Sequence, residues 1–262
     1  MSDLRLTLRQ VRYTNKAFWR NPASAFFTFA FPLLFLVIFT SLLGSGTATF
    51  RTTAGGFVTL QQSSYYVVAM GAFGVITACY TNIAMSVTFQ RDAGILKRTR
   101  GTPLPGWSYL TGRVLHAIGI AVLLVVLTAA FGAAFYSADV PSGVLLLKFA
   151  VVVLVGSMSF AALGLATTAI VPNADAAPAV VNAIILPLLF LSGIFIPIDS
   201  SSPAWIRAVG SIFPVKHFFE AMRAGVFGTK FPFAWHDVLV LAAWGVAGLL
   251  LAVRFFSWEP RK

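Results

Sequence analysis

Residues 89–105, FQRDAGILKRTRGTPLP, set Arg91, Asp92, Lys97, Arg98 and Arg100 between two long apolar runs. Gln90 to Arg100 is long enough for nearly three helical turns. Gly101-Thr102-Pro103-Leu104-Pro105 then forces an end, because proline lacks an amide proton and restricts the residue before it. On such a helix Ile95, Leu96 and Thr99 can seat in an apolar groove while the charged residues make polar contacts around it. That chemistry suits a foothold for a soluble partner. A positively charged loop that is merely helical is the alternative reading.

No other reactive side chains assemble into a site by spacing. His116, His217 and His236 are scattered and show no metal-ligand pattern. Gly228-Thr229-Lys230 lacks the preceding glycine of a phosphate-binding loop. Ser192-Gly193 lies in an apolar run with no histidine at matching depth, which reads as small-residue helix packing. Asn21-Pro22-Ala23 occurs once and reads as a helix cap with proline in the first turn. Neither catalysis nor a bound metal is expected of this chain.

The surroundings of these residues are oily. Of 262 residues, 58% are hydrophobic and 10% charged, with a mean hydropathy of +0.85. A soluble domain carries roughly a quarter charged residues, so a membrane protein is expected. Six stretches can cross about 30 Å of hydrocarbon as helices: residues 23–44, 63–88, 108–136, 143–171, 177–197 and 234–256. The first follows about twenty residues and exceeds a signal-peptide core in length, so no cleaved signal is expected. Cys79 is the single cysteine, which excludes an intrachain disulfide. The net charge of +11 is spread over short segments between spans. That pattern reads as topology signals and contacts with anionic lipid rather than nucleic-acid binding. With the N-terminus inside, thirteen Lys and Arg face the cytoplasm against five outside, which predicts both termini cytoplasmic.

Two irregular pieces flank the spans. Residues 3–20 carry Leu4, Leu8, Val11 and Phe18 at helical spacing beside a stripe of Arg5, Arg9, Arg12, Lys16 and Arg20. A helix with those faces lies in the membrane interface; a plain basic flank orienting the first span is the alternative. Residues 198–232 are too apolar for a solvated loop and too charged between Arg207 and Arg223 for mid-bilayer. Ser202-Pro203 and Pro214 are helix starts, and Gly228 can end the second helix. Two short re-entrant helices in the outer leaflet are predicted. The fold class is therefore an all-α membrane protein of one domain.

Within the six spans acidic groups occur only at the edges, as Asp139 and Asp237, with Asp175 in a cytoplasmic turn; Lys148 can snorkel outward. The interior holds only weak polar groups such as Asn82, Ser86 and Asn182, which commonly bond between helices. Ion-coupled carriers keep ionisable groups there. Uphill transport would then draw its free energy from another chain, although a sodium site of carbonyls and hydroxyls escapes this test. Phe27, Phe31, Phe35 and Phe39 form a slanted stripe that can line a substrate path, pack a dimer seam or face lipid.

The charged stretch resembles the cytoplasmic coupling segment of ABC type-2 exporter permeases, the class with daunorubicin, nodulation-factor and polysaccharide exporters. Arg91, Gly94, Leu96, Lys97, Arg98, Arg100, Thr102 and Pro103 match its usual form, and Asp92 is a conservative stand-in; Gln90, Ile95 and Thr99 depart. Residues 192–228 resemble the end of the fifth span and the outer helices of that class, through Pro197, Pro214, Glu220 and Arg223, which would shape an outer gate. The resemblance implies a half-transporter of a bacterial cytoplasmic membrane. It would pair with a second permease chain, as a homodimer, above two soluble ATPase subunits. ATP and magnesium would belong to those subunits, with no cofactor in this chain. The poorly polar interior leans toward drug or lipid export, with Asn82 and Asn182 on the path; a polysaccharide on a lipid carrier is allowed. The rivals are a passive channel or ion-coupled carrier, and a scaffold that moves nothing.

Overall fold

The computed structural model describes residues 3–43, 46–51, 57–198, 202–228, 233 and 235–259. Helix α1 (Asp3–Trp19) ends two residues before α2 (Pro22–Leu43). The Asn21 carboxamide accepts from the Ser24 amide at 3.2 Å and Pro22 occupies the first turn, so one free amide is capped and none is wasted on proline. Residues 44–45 lie outside the described part, as do 52–56.

Strands β1 (Thr47–Arg51) and β2 (Phe57–Gln61) pair antiparallel, from Thr47 opposite Gln61 to Arg51 opposite Phe57. This hairpin is a small addition to an otherwise helical fold, and the sequence reading did not include it. Its two runs are rich in Thr, Phe and Val, which favour a pleated surface, but they are too short to stand out beside the apolar spans. Leu60 is buried, and the Gln61 and Ser63 side chains donate to the Tyr136 carbonyl at 3.1 and 3.2 Å.

Next comes one continuous rod: α3 (Gln62–Ile76), a π-helical turn at Thr77–Thr81, and α4 (Asn82–Asp92). At 31 residues it is about 46 Å long. Its most apolar stretch is 83% buried, against 22% for α2 and α11, so the rod is the axis of the bundle. Against it pack α2, α6 (Gly106–Tyr136) and α7 (Gly143–Thr167), while α11 (Trp235–Phe255) packs on α7. Small residues let them approach. A Cβ on Gly164 would lie 2.7 Å from the Tyr80 carbonyl, and one on Gly248 would lie 2.9 Å from the Leu163 amide. Gly156 likewise faces the Phe218 ring.

Among the described residues, five helices are long and apolar enough to cross a membrane: α2, the rod, α6, α7 and α11. The sixth expected span, residues 177–197, is helical only as α8 (Ala177–Phe190), 14 residues or about 21 Å. The chain then turns at Gly193, whose φ of +89° favours glycine. Phe195 beyond that turn packs on Phe35, Phe39 and Phe73, with ring centroids 5.6–6.3 Å apart. Two short helices follow, α9 (Ala204–Gly210) and α10 (Pro214–Val226). Pro203 precedes α9 rather than opening it, and α10 ends at Val226, before Gly228. Val215, Phe218, Phe219 and Met222 of α10 are fully buried within the bundle.

Candidate functional site

The segment 90–103 is not one helix, which corrects the reading of nearly three continuous turns. The rod continues to Asp92; Ala93 then bonds back to Phe89 and Gly94 to Arg91, each at 3.0 Å. Gly94 has φ +68°, the left-handed conformation that ends helices and suits glycine alone without strain. Helix α5 (Ile95–Arg100) is a separate short turn, closed by Gly101 and a Thr102 hydroxyl bond to the Thr99 carbonyl at 2.7 Å.

The break divides the charged residues into two sets. Arg91 faces inward with 1% exposure, so it does not present itself to a soluble partner. Its guanidinium donates to the carbonyls of Thr168, Val171 and Pro172 at 2.9, 2.8 and 3.1 Å. These are the free carbonyls at and beyond the end of α7, where the helix dipole also favours a cation. Asp92 pairs with Arg91 at 3.4 Å and accepts from the Ala174 amide. Leu96 is wholly buried, and Ile95 and Thr99 line an open cleft, with Ile95 still partly exposed. Lys97, Arg98, Arg100, Thr102 and Pro103 are exposed. The structure thus splits one expected foothold into an internal clamp and an outward basic face.

Beside this segment lies a cleft of about 670 Å³. Helix α1 contributes Gln10, Tyr13, Thr14 and Phe18, and the entry to α2 contributes Asn21 and Ser24. Ala78, Asn82, Ser86 and Gln90 of the rod recur every fourth residue along its wall. From α6 come Tyr109, Arg113, His116, Ala117 and Ile120. Arg113 is 8% exposed and donates to the Tyr109 and Ser86 hydroxyls, each at 2.9 Å, and to the Gln90 carboxamide oxygen, which also accepts from Tyr109. Among the described residues it has no carboxylate partner. Helix α1 can form this wall because Gly112 of α6 has no side chain: a Cβ there would meet Gln10 Cβ at 2.7 Å and the Thr7 carbonyl at 3.2 Å. Arg5, Arg9, Arg12, Lys16 and Arg20 point outward, as do Leu4 and Leu8.

Asn82, expected on a substrate path, does line this cleft, but the rest of the polar wall was missed in the sequence, because Ser86 read as a bond between helices and Arg113 as one of the thirteen cytoplasmic charges. The four-residue spacing of Asn82 and Ser86, continued by Gln90, was the signal. Asn182 on α8 is half-buried and is not among the cleft residues, so the structure does not bring it to Asn82.

The phenylalanine stripe divides too. Phe31, Phe35 and Phe39 pack on Phe73, Tyr66 and Phe195, Phe39 stacking on Tyr66 at 5.0 Å. Phe27 stays outside that cluster and exposed. At the end of the bundle away from α5, Pro214 opens α10 and Pro197 lies just past the Phe195 turn. Glu220 and Arg223 pair at 3.2 Å, and the Arg223 guanidinium lies over the Tyr65 and Phe219 rings. His217 holds Asp237 Oδ1 at 2.7 Å through Nδ1 and the Ser211 carbonyl at 2.8 Å through Nε2. Both ring nitrogens face acceptors, so the imidazolium is the form that satisfies both. The bond to Asp237 raises the His217 pKa above its ordinary 6.5, against the opposing effect of burial. His236 adjoins, so that His217, His236 and Asp237 offer ligand atoms all within 4.8 Å, a proximity hidden by their sequence spacing. His217 has committed both nitrogens to protein acceptors, which favours a proton over a metal there.

A bundle of membrane-length apolar helices, with a basic face at one end, defines a multi-pass helical membrane protein. Within that class the chain belongs to the ABC-2 type transporter family, whose pattern matches residues 6–227. It is 22% identical over 237 residues to the putative transport permease YvfS of Bacillus subtilis, covering 89% of each chain. To the putative transport permease ycf38 of Porphyra purpurea it is 24% identical over 230 residues, 87% of this chain and 75% of that one. It is also 24% identical over 140 residues to the probable multidrug ABC transporter permease YbhR of Escherichia coli, which is 53% of this chain and 37% of that protein. The chain is thus a permease subunit by family.

Proposed function

We propose that this chain is the membrane half of an ATP-driven exporter that moves a lipophilic or amphipathic substrate, a drug or a lipid, out of a bacterial cytoplasm. Two copies pair in the cytoplasmic membrane and two separate ATPase subunits bind beneath them, holding ATP and magnesium. The basic end, with α1 and α5, faces the cytoplasm along with both termini. Helix α8 with residues 191–198 makes the sixth crossing; α9 and α10 sit in the outer leaflet, where Pro197, Pro214, Glu220 and Arg223 frame the outer gate. Arg5, Arg9, Arg12, Lys16 and Arg20 hold α1 against lipid headgroups.

One observation carries the reading: the segment that presents Lys97, Arg98 and Arg100 outward is clamped by Arg91 and Asp92 to the end of α7 and the turn before α8. A push on α5 is therefore delivered to two further elements at once. Hydrogen bonds from a charged donor stabilise by about 1.5–3 kcal/mol each, enough to hold the clamp through a working stroke. The name of the Escherichia coli relative supports a drug-like substrate.

The test uses Gly94→Pro. Proline cannot adopt φ +68° and lacks the amide that bonds to Arg91, so α5 is redirected while the apolar spans are untouched. In vesicles holding the permease and its ATPase, ATP-dependent export should fall at least about tenfold with insertion unchanged. Export at the normal rate would mean that α5 is not the coupling element. Concentrative export without nucleotide or ATPase would favour an ion-coupled carrier.

A further inference from the structure

The cleft beside α5 has a chemical asymmetry. Its only charged lining residue is Arg113, and no Asp or Glu lines it among the described residues. Arg113 lies seven residues into α6, about 10 Å along the helix from Gly106, and Ile120 lies about 21 Å along. The cleft spans those depths and opens beyond them, from Thr102, Leu104, Tyr109 and Arg113 at the α5 end to Ala78, Ala117 and Ile120 at the other. A buried guanidinium whose partners are two hydroxyls and a carboxamide keeps its full positive charge uncompensated. Among the described residues, His116 Nε2 beside it is buried without a hydrogen-bond partner. A cation and an unmet polar atom at the polar end of a pocket that turns apolar with depth specify a ligand with the opposite charge on one end and grease on the other.

We infer that this cleft binds an amphiphile with an anionic headgroup, a phosphate or carboxylate, which sits against Arg113 and sends its apolar chain toward Ala117 and Ile120. The volume, about 670 Å³, suits a headgroup with a single chain and lies within the range of small-molecule pockets, about 300–1,000 Å³. An acidic segment of a soluble partner fits less well, because the pocket deepens into the apolar part of the bundle. The inference rests on the permease reading for its biological sense: the ligand is either the transported substrate or an inner-leaflet phospholipid, which share this chemistry.

The experiment uses the full chain in neutral maltoside micelles, without ATPase or nucleotide, and measures equilibrium binding of radiolabelled dodecyl phosphate. Saturable binding is expected, with dodecyltrimethylammonium failing to compete. Arg113→Gln should weaken binding at least about tenfold, and Arg113→Lys should restore part of it. Equal competition by dodecyltrimethylammonium on the unaltered chain overturns the inference without recourse to any variant. So does unchanged affinity in a monodisperse Arg113→Gln protein. Displacement by inorganic phosphate at the same concentrations as dodecyl phosphate overturns the amphiphile, leaving a free-anion site. Saturable binding of a labelled acidic peptide, with no binding of dodecyl phosphate, assigns the cleft to the partner and overturns it as well. Phosphatidic acid in mixed micelles separates the two sources: efficient displacement identifies a membrane lipid, and poor displacement identifies a smaller transported substrate. Either result supports the shared chemistry. Failure of binding leaves the permease reading standing, whereas failure of the chain to couple to an ATPase sinks that reading and leaves the binding result intact.

Discussion

Arg91 and Arg113 sit near the same end of the bundle and are both buried, but their surroundings give them different work. Arg91 spends its donors on three carbonyls around the end of α7, where the helix already presents partial negative charge. Arg113 meets only hydroxyls and a carboxamide, and an open cleft lies in front of it. The first is a clamp and the second a binding group. His217 makes a third case. Its Asp237 bond raises its pKa above 6.5 in the folded state. A raised pKa means that the folded protein binds the proton more tightly than the unfolded chain. The stabilisation is therefore fully present below about pH 6.5 and fades as pH rises through the raised value. Thermal melts of the chain and of His217→Gln should differ by a few degrees at about pH 5.5 and converge above the folded pKa. A gap that widens with rising pH would show the sign to be wrong.

Among elements, the placement of α1 has the most consequence, since it walls the cleft and depends on one missing side chain. Gly112→Val puts a branched side chain where Gln10 Cβ and the Thr7 carbonyl already stand. Overpacking of this kind costs about 1–3 kcal/mol, and the cheapest relief is for α1 to leave α6. Amide exchange across Asp3–Trp19 should accelerate while the buried rod stays protected. Gly119→Val is the control, because a Cβ at Gly119 meets nothing within 4 Å. Equal exchange in both variants would mean that α1 is held by something other than this contact. The rod illustrates a second element-scale effect. Its π-helical turn at Thr77–Thr81 inserts an extra residue ahead of Asn82 and resets the facing of α4 relative to α3. Asn82, Ser86 and Gln90 then share one wall with Ala78.

For the whole molecule the open prediction is orientation. Cys79 is the single cysteine and is buried, so a second thiol placed on the surface is reported without interference. Thr49 is exposed on β1, and Arg98 is exposed on α5 at the opposite end of the bundle. In intact cells an impermeant maleimide should label Thr49→Cys, whereas Arg98→Cys should react only after permeabilisation. The reverse pattern would place α5 outside and remove any cytosolic ATPase from reach of it.

Local features of the chain were readable because hydropathy and punctuation act over a few residues. The apolar runs of α2, α6, α7 and α11, the cap at Asn21 and the basic stripe of α1 needed nothing from elsewhere in the sequence. Gly94 was visible as a glycine, but the left-handed break it makes in 90–103, with φ +68°, and the inward direction of Arg91 just before it were not. That direction is set by carbonyls about eighty residues downstream, at Thr168, Val171 and Pro172. The meeting of His217 with Asp237, the seat of Phe195 among Phe35, Phe39 and Phe73, and the gathering of polar groups around Arg113 have the same origin. Periodicity tells which face of a helix is oily or polar; only close packing through glycines such as Gly112, Gly164 and Gly248, with hydrogen bonds between distant segments, decides which faces meet.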